Sequence, residues 1–541
     1  DTLGGKIWRS REIDDALKTR HPYADWLAEN IIRISNNDEQ EETAAKIYMK
    51  ESMQGLPLFE KLFGVSHEER EYVIRVMAED AVEATGSMGD DTPIAVLSRQ
   101  TRPLYDYFRQ QFAQVTNPAI DSLRESSAMS LETLFGREHN IFQETSTHAH
   151  RVVLPWPVLN VVKYRKLLEL DQRYYRNKMF SLNYAEEEGL QKALVRLCDR
   201  VSAAVASHVV IIVLTDRDVE RGKLPIHAAL ATGAIHQRLI KDGLRCDCNI
   251  IVETGTARDS HHFAVLFGLG ATAVYPYLAF QVINDLHARG ALKGELLQHR
   301  KLYRRGVRKG LLKILSKMGI SCITSYRGAQ LFETVGLGSE ITRLCCPGTT
   351  GNIGGIGFRE IEVDQRKLAR DAWNFGQPIK QGGLLKFAWD GEFHAYNPDV
   401  ITALHQAVQS GDQKDYDVFA QQINQRQPAA LRDLLKLRPA AERTPMENVE
   451  TAKQLFPRFD TAGMSIGALS PEAHEALAVA MNTLGGHSNS GEGGEDPARF
   501  NGKRNSSIKQ VASARFGVTA HYLVNADILQ IKIAQGSKPG E

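Results

Sequence analysis

The residues best suited to chemistry lie near the end of the chain, in three segments rich in small or polar side chains. These segments are 464–468 (MSIGA), 489–496 (NSGEGGED) and 530–536 (QIKIAQG). In enzymes built from alternating strands and helices, reactive groups sit where parallel strands end and in the loops that follow. Small residues let a flat cofactor ring approach the backbone, and glycines permit backbone conformations that are closed to other residues. The three segments therefore predict a cofactor site at the ends of parallel strands.

The third segment alternates so that its polar groups fall on one side. In a strand, Gln530, Lys532 and Ala534 share a face. If that face is interior, Gln530 can hydrogen-bond the edge of a ring, and Lys532 can hold a carboxylate or a developing negative charge. The alternative is a solvated edge strand with an ordinary lysine. Lys538, in the loop that follows, could equally be a surface residue.

Apolar patterning predicts an α/β fold for the middle of the chain. From about residue 200 onward, aliphatic runs alternate with helical stripes, and the run 209–214 (VVIIVL) is typical of a strand buried on both faces. This rhythm predicts a parallel sheet covered by helices. Strands are predicted at 209–214, 248–252, 272–277, 321–325 and 341–345, and helices at 224–243, 261–270 and 307–319.

The flanking regions have different patterns. Residues 1–100 are predicted to be helical and polar, with a packed aromatic helix to follow at 103–115, and the glycine-rich stretch 348–357 is predicted to be a turn-rich connection. After a linker near 437–456, the pattern predicts a strand at 462–469, a helix at 471–484 and a strand at 527–534. These elements predict the opening of a second βα array.

Composition excludes several classes of protein. The 541 residues include 66 Lys+Arg and 65 Asp+Glu, and 43% are hydrophobic, which excludes an intrinsically disordered chain. A formal charge of +1 predicts no general attraction to nucleic acid or anionic lipid. The run 209–214 is the longest aliphatic stretch, and a bilayer span needs about 20 residues, so a membrane protein is not expected.

The cysteines and histidines predict no metal site. Six cysteines without a C-x-x-C motif do not indicate a zinc ribbon or a redox dithiol, and we expect reduced thiols in a cytoplasmic protein. Adjacent His261 and His262 would point about 100° apart on a helix, which does not favour a shared ion. His148 and His150 have strand spacing, but no cluster of carboxylates accompanies them.

Several long motifs together resemble one known family. They are 463–474 (GMSIGALSPEAH), 490–496 (SGEGGED), 508–517 (IKQVASARFG) and 530–541 (QIKIAQGSKPGE), with 86–93 (GSMGDDTP), 107–118 (YFRQQFAQVTNP), 251–254 (IVET) and 316–321 (SKMGIS) upstream. The first four are similar to the start of the FMN domain of the glutamate synthase large subunit, and the others to its central domain. The resemblance extends over nearly the whole chain.

The resemblance implies a specific chemistry. In this family, ammonia released from glutamine by a glutaminase domain travels inside the protein, condenses with 2-oxoglutarate and is reduced by FMN to L-glutamate. Electrons reach FMN through an iron–sulfur cluster, from NADPH by way of a small subunit, or from ferredoxin. The implied fold is a central parallel-sheet α/β domain followed by the start of an FMN-binding (β/α)8 TIM barrel. An oligomer is expected, and the electron donor is left open.

The resemblance also suggests roles for single residues. Met464, Ser465 and Gln530 match FMN-contacting positions, and Lys532 matches a catalytic position beside both the flavin and 2-oxoglutarate. Lys538 falls in the loop that closes over the keto acid, so it is a substrate-binding candidate with Lys532. Glu472 and Glu495 are further candidates.

The sequence departs from the family pattern at both ends. The family begins its glutaminase domain with a nucleophilic cysteine, whereas this chain begins with Asp1, and the family's cluster cysteines and most of the barrel would lie beyond Glu541. We therefore expect a segment of the large subunit, with a central domain at 1–436, a linker at 437–456 and an incomplete FMN domain at 457–541. Such a segment is expected to be inactive alone.

Two other readings of the sequence stay open. The segment could be a non-catalytic scaffold that seats the glutaminase domain against the flavin domain. An unrelated FMN-dependent hydroxy-acid oxidase is a third possibility, and it would require a His-Arg pair on late strands that this sequence does not reach.

Overall fold

The computed structural model describes residues 2–35, 55–85, 90–111, 123–512 and 517–532. The chain divides into two compact units, with the division between Leu435 and Lys436. The fold is mixed α/β with a parallel sheet, as predicted.

A four-stranded parallel sheet forms the centre of the first unit. Its strands are β1 (Asn177–Ser181), β2 (Ile211–Thr215), β3 (Asn249–Glu253) and β4 (Ala273–Tyr275), in the order β4-β3-β2-β1. Every residue of β2 and β3 is buried, as expected for aliphatic strands covered by helices on both faces. The strands predicted at 209–214, 248–252 and 272–277 are confirmed.

Helices connect these strands in the manner of a parallel sheet. They are α1 (Leu190–Ala206), α2 (Ala228–Lys241) and α3 (Ser260–Gly268), which link β1 to β2, β2 to β3 and β3 to β4. Because parallel neighbours need a crossover, each connection carries a helix. The helices predicted at 224–243 and 261–270 are confirmed in type, although the first begins later because Lys223–Pro225 forms a short strand.

Four predictions for the first unit are wrong. The aromatic segment predicted as a helix at 103–115 forms a 3-10 turn, Leu104–Tyr107, and a strand, Phe108–Gln110. The strands predicted at 321–325 and 341–345 are the helices Ile323–Tyr326 and Ser339–Cys345. The stretch predicted as a turn-rich connection contains the strand Thr350–Ile356, which pairs parallel to Phe332–Leu337.

The remaining elements of the first unit surround this core. The other helices are Ser10–Thr19, Tyr23–Asn30, Leu56–Leu62, the π-helix Glu69–Ile74 that continues into Arg75–Asp80, Glu125–Ala128, Val161–Leu168, Tyr277–Ala288, Leu296–Lys317, Phe358–Trp373, Pro398–Ser410 and Gln413–Asn424. The other strands are Ile32–Arg33, Thr133–Phe135, Val152–Leu154 and Asn183–Ala185. No helix in the described part of the chain combines the length and apolar character needed to cross a bilayer.

In the second unit, four extended segments run parallel in chain order. Asp460 pairs with His487, and Asn489 pairs with Ile508. The latter begins β5 (Ile508–Val511), which pairs with β6 (Ile528–Ile531). The helices α4 (Pro471–Leu484) and α5 (Ala520–Val524) lie between successive segments, and a short helix, Ala452–Leu455, precedes them.

The helix predicted at 471–484 is confirmed to the residue. The Ser470 side chain caps α4 by accepting a hydrogen bond from Ala473 N–H, proline follows at the first turn, and Gly485 ends the helix in a left-handed conformation (φ 85°). The strand predicted at 462–469 is wrong, because this segment is a loop that leads into a turn. Glycine and other small residues there favour a strand only weakly.

Candidate functional site

Polar side chains lie on three of the four parallel segments of the second unit. We call Asn489, Gln510 and Gln530 the amide cluster, because they contribute one carboxamide from each of the last three segments. Since parallel strands end at the same edge of a sheet, their carboxyl-end side chains come together, as the sequence predicts for this kind of site.

The amide cluster has a defined hydrogen-bond direction. Gly491 N–H donates to Asn489 Oδ1 at 3.0 Å, so the Asn489 Nδ2 group points away and donates to Gln530 Oε1 at 2.8 Å. Gln510 Nε2 donates to the same Gln530 oxygen at 2.7 Å. The Gln530 oxygen thus accepts twice, and its Nε2 group donates no hydrogen bond to any residue that the structure describes. Gln530 is exposed at this position.

An ion pair lies next to the amide cluster. Lys532 Nζ donates to Glu492 Oε1 at 2.7 Å, and the two side chains are 25% and 18% exposed. The Glu492 N–H donates to Ser465 Oγ at 3.1 Å. The loop after the first segment, the loop after the second and the end of β6 are therefore joined by one chain of polar contacts.

Glycines provide the space for these contacts. A Cβ at Gly463 would lie 2.7 Å from Gln510 Nε2 and 3.2 Å from Asn489 Oδ1, so a larger residue would push the amides aside. Gly491 has φ +64°, and a Cβ there would lie 2.6 Å from the Ser465 nitrogen. Both positions thus need glycine, the first for close approach and the second also for its conformation.

Lys509, Glu495 and Arg499 form a buried charged cluster in the same unit. Lys509 and Glu495 form an ion pair whose side chains are both fully buried, and Arg499 Nη2 lies 3.1 Å from the Glu495 carboxylate. Burial lowers the pKa of Lys509. The ammonium lies 5.0 Å from the ring centre of Tyr522 and 5.0 Å from that of Phe500. These contacts indicate that Glu495 stabilises the fold by pairing two buried cations.

Buried hydrogen bonds hold the loop that carries Glu492. Arg499 Nη1 lies 2.7 Å from His474 Nδ1, and because arginine only donates, the His474 proton must sit on Nε2, which bonds the Ser490 carbonyl at 3.1 Å. The Ser490 hydroxyl contacts the Tyr522 hydroxyl at 2.6 Å. The loop geometry is thus set by groups that no solvent reaches.

The structure brings together some of the sequence-predicted residues and separates others. Lys532 is linked to Ser465 through Glu492, and Met464 adjoins Ser465 in the same loop. Gln530, two residues before Lys532, contacts Asn489 and Gln510 instead. Glu472 is exposed in the first turn of α4, and the hydrogen bond from its own backbone N–H lowers its pKa. Lys538 and Ala534 lie outside the described residues.

Sequence reasoning missed the roles of Asn489, Gln510 and Glu492 as partners in the site. Their segments contain the motifs that suggested a cofactor, but no spacing in the sequence relates Asn489 to Gln530, which are 41 residues apart. The register between β5 and β6 is the signal that relates Gln510 to Gln530, because the two residues pair directly.

The carboxyl end of the central sheet carries a second polar group of residues. Asp216, at the end of β2, is fully buried, and it accepts hydrogen bonds from Gly255 N–H at 3.0 Å and the Tyr277 hydroxyl at 2.9 Å. Burial raises the pKa of Asp216 to about 7. Beside it, Glu253 pairs with Arg217 at 2.8 Å and accepts from the Tyr164 hydroxyl at 3.0 Å.

These contacts lie at the ends of β2 and β3, on the edge of the sheet at which open α/β folds usually bind ligands. The acidic groups there are satisfied by neighbouring side chains and backbone. Among the described residues, no group of three or more His, Cys, Asp or Glu side chains is arranged to hold a metal ion.

Comparison with known proteins places the chain in a family. Residues 59–338 match the glutamate synthase central domain, and residues 394–541 match the conserved region in glutamate synthase. Both matches describe parts of one multidomain enzyme. The chain belongs to the glutamate synthase family.

Curated relatives share about two fifths of the residues. The chain is 40% identical to ferredoxin-dependent glutamate synthase of Pyropia yezoensis and 41% identical to the large chain of glutamate synthase [NADPH] of Azospirillum brasilense. It is 39% identical to ferredoxin-dependent glutamate synthase 2 of Arabidopsis thaliana. Each alignment covers 100% of this chain but only 35–37% of the relative, so the chain spans about a third of their length.

Likeness to solved structures is weak. The recombinant flavin-binding domain of baker's yeast flavocytochrome b2 is 15% identical, with a TM-score of 0.22 over 35% of this chain and 43% of that chain. A flavocytochrome b2 mutant, ARG289LYS, covers 61% of this chain and 94% of that chain at 12% identity and a TM-score of 0.22. Similarity at this level adds nothing to the assignment.

Proposed function

We propose that this chain is the segment of a glutamate synthase that contains the central domain and the first part of the FMN site. The reaction is the reductive transfer of glutamine-derived ammonia to 2-oxoglutarate, giving L-glutamate. The observation that carries the proposal is a pair of contacts between the parallel segments of a chain of this family. Gln530 bonds Asn489, and Lys532 bonds Glu492, whose backbone N–H donates to Ser465 Oγ.

The residues present suit FMN. A flavin needs hydrogen-bond partners at its ring edge and little side-chain bulk over its face. The outward amino group of Gln530 offers donors, and Gly463 and Gly491 keep the adjoining backbone bare. Bound FMN would supply the hydride, while the protein supplies position and charge. Met464 and Ser465 would contact the same cofactor.

Lys532 is the proposed catalytic and substrate-binding cation. A dicarboxylate substrate needs a positive group to orient it, and an ammonium placed beside the reacting carbon can stabilise negative charge in the transition state. The Glu492 carboxylate holds this ammonium in place. Lys538 is proposed as a second substrate-binding cation, while Glu472 and Glu495 make contacts that favour structural roles.

The rest of the assembly follows from the family. We propose that residues 457–541 begin a (β/α)8 barrel, that 1–436 form the central domain, and that 437–456 link the two. Electrons would arrive through an iron–sulfur cluster with ligands outside this chain, from NADPH through a small subunit or from ferredoxin. We further propose a cytoplasmic, oligomeric enzyme, of which this segment alone is inactive.

A scaffold role is the second candidate for the first unit. The carboxyl groups of Asp216 and Glu253 at the strand ends are bonded to neighbouring protein groups, which favours a unit that binds no ligand through them. Its role would then be to seat a glutaminase domain against the flavin domain.

The test uses the protein expressed at its full natural length. We expect one FMN released per polypeptide on denaturation, and glutamate formed from glutamine and 2-oxoglutarate with either reduced ferredoxin or NADPH plus small subunit. A colourless protein that makes no glutamate with either donor would overturn the proposal.

A further inference from the structure

The direction of the amide cluster suggests a function for Asn489 and Gln510, to which the sequence motifs assign no role. Gln530 can turn either its oxygen or its amino group outward, because a carboxamide is both an acceptor and a donor. Two donors, Asn489 Nδ2 at 2.8 Å and Gln510 Nε2 at 2.7 Å, converge on its oxygen. If the amide turned over, its amino group would face those two donors, and both hydrogen bonds would be lost.

The Asn489 side chain cannot simply turn with it. Its own oxygen accepts from Gly491 N–H at 3.0 Å, in a loop whose left-handed glycine fixes the backbone. Gln510 is held near Gln530 by direct pairing in the register of β5 and β6. The cluster therefore has one hydrogen-bonded arrangement, with its direction set at a backbone N–H.

We propose that Asn489 and Gln510 are positioning residues that make Gln530 a dedicated hydrogen-bond donor to the cofactor. The inference rests on the proposed function, since the cofactor is taken to be FMN. A donor at this point recognises the electron-rich part of the ring, its carbonyl oxygens or unprotonated nitrogens, rather than its N–H group. Because reduction adds electron density to those atoms, the donor stabilises the reduced ring more than the oxidised ring.

The test compares FMN binding and flavin potential in full-length protein. Gln510→Met keeps the side-chain length and removes the donor. We expect the Kd for FMN to rise roughly threefold to tenfold, which corresponds to the loss of one hydrogen bond. We also expect a more negative midpoint potential, which a purely structural role would not produce. Asn489→Leu should act in the same direction. Asn482→Ala is the control, because that amide bonds only Lys503 O and Asn505 O, at 2.8 Å each.

A double-mutant cycle with Gln530→Met decides whether Gln510 acts through Gln530. The expected result is that Gln510→Met shifts the potential in the wild-type background and has no further effect once Gln530 is methionine. Equal shifts in both backgrounds, or no shift in either, would overturn the inference while leaving the proposed function intact. A wild-type protein without FMN would overturn both, so the two failures are distinguishable.

Discussion

Lys532 Nζ lies 2.7 Å from Glu492 Oε1, although the two residues are 40 positions apart in the chain. The contact joins the loop after the second parallel segment to the end of the fourth. It holds the Lys532 ammonium near the carboxyl ends of the parallel segments, where it would bind a substrate carboxylate under the proposed function.

Replacement of Lys532 is expected to separate catalysis from cofactor binding. In full-length enzyme, Lys532→Met should lower kcat/KM for 2-oxoglutarate by about 10²–10³, the usual loss when one electrostatic stabiliser is removed. FMN content should stay near that of wild type, since the amide cluster is intact. Steady-state kinetics and flavin absorbance measure the two effects.

The matched control for this variant is Lys503→Met, an exposed lysine in the same unit. It should leave both measurements unchanged. Wild-type turnover by Lys532→Met would show that the lysine does not take part in the reaction.

The glycine that faces the amide cluster gives a second prediction. An alanine at Gly463 would place a methyl group 2.7 Å from Gln510 Nε2, so Gln510 must move and its bond to Gln530 should break. We expect Gly463→Ala to weaken FMN binding about as much as Gln510→Met, roughly threefold to tenfold. Fluorescence titration of the apoprotein with FMN measures this.

Gly467→Ala is its control, because a Cβ at Gly467 would meet nothing within 4 Å. It should bind FMN like wild type. If the two alanine variants bind FMN equally well, crowding of the amide cluster does not weaken FMN binding.

The buried charged cluster predicts unequal effects of its members on stability. Glu495→Gln leaves the cations Lys509 and Arg499 buried without their counter-ion, and should lower the free energy of unfolding by about 3–5 kcal/mol. Lys509→Met should cost less, because Glu495 keeps Arg499. Urea unfolding followed by tryptophan fluorescence or circular dichroism measures both, and the reverse order would contradict the assignment.

Buried Asp216 predicts a pH dependence of stability. Its pKa of about 7 in the folded protein exceeds its ordinary value of 3.8, so the folded state keeps a proton that the unfolded state has released. This stabilisation is complete below about pH 4 and is lost as pH rises toward 7. Between those limits the contribution falls by about 1.4 kcal/mol per pH unit.

Asp216→Asn removes the titrating group, so the difference in unfolding free energy between wild type and variant should change across that pH range. Urea unfolding at several pH values from 4 to 8 measures it. A constant difference would mean that the carboxyl does not titrate there.

Runs of apolar residues made three of the four strands of the central sheet predictable from the sequence, whereas β1 (Asn177–Ser181) has no such run and was not predicted. A strand buried on both faces, such as β2, needs apolar residues at nearly every position, and few other structures do. The short apolar stretches at 321–325 and 341–345 were ambiguous, since four or five residues fit a turn of helix as well as a strand. Aromatic spacing suggested a helix through Phe108, but from Phe108 to Gln110 the backbone is extended and pairs with Phe332–Leu337.

The candidate site was predictable only in part, for a related reason. Alternation along one strand placed Gln530 and Lys532 together. Their partners Asn489 and Glu492 lie in a different segment, and only the register between segments brings them close. A single sequence contains no measure of that register.

The exposure of β6 has a practical consequence for handling the protein. All four of its residues, three of them aliphatic, face solvent in this structure, with Ile531 83% exposed. An uncovered row of this kind is a template for pairing between molecules. Preparations of this chain should therefore self-associate as concentration rises.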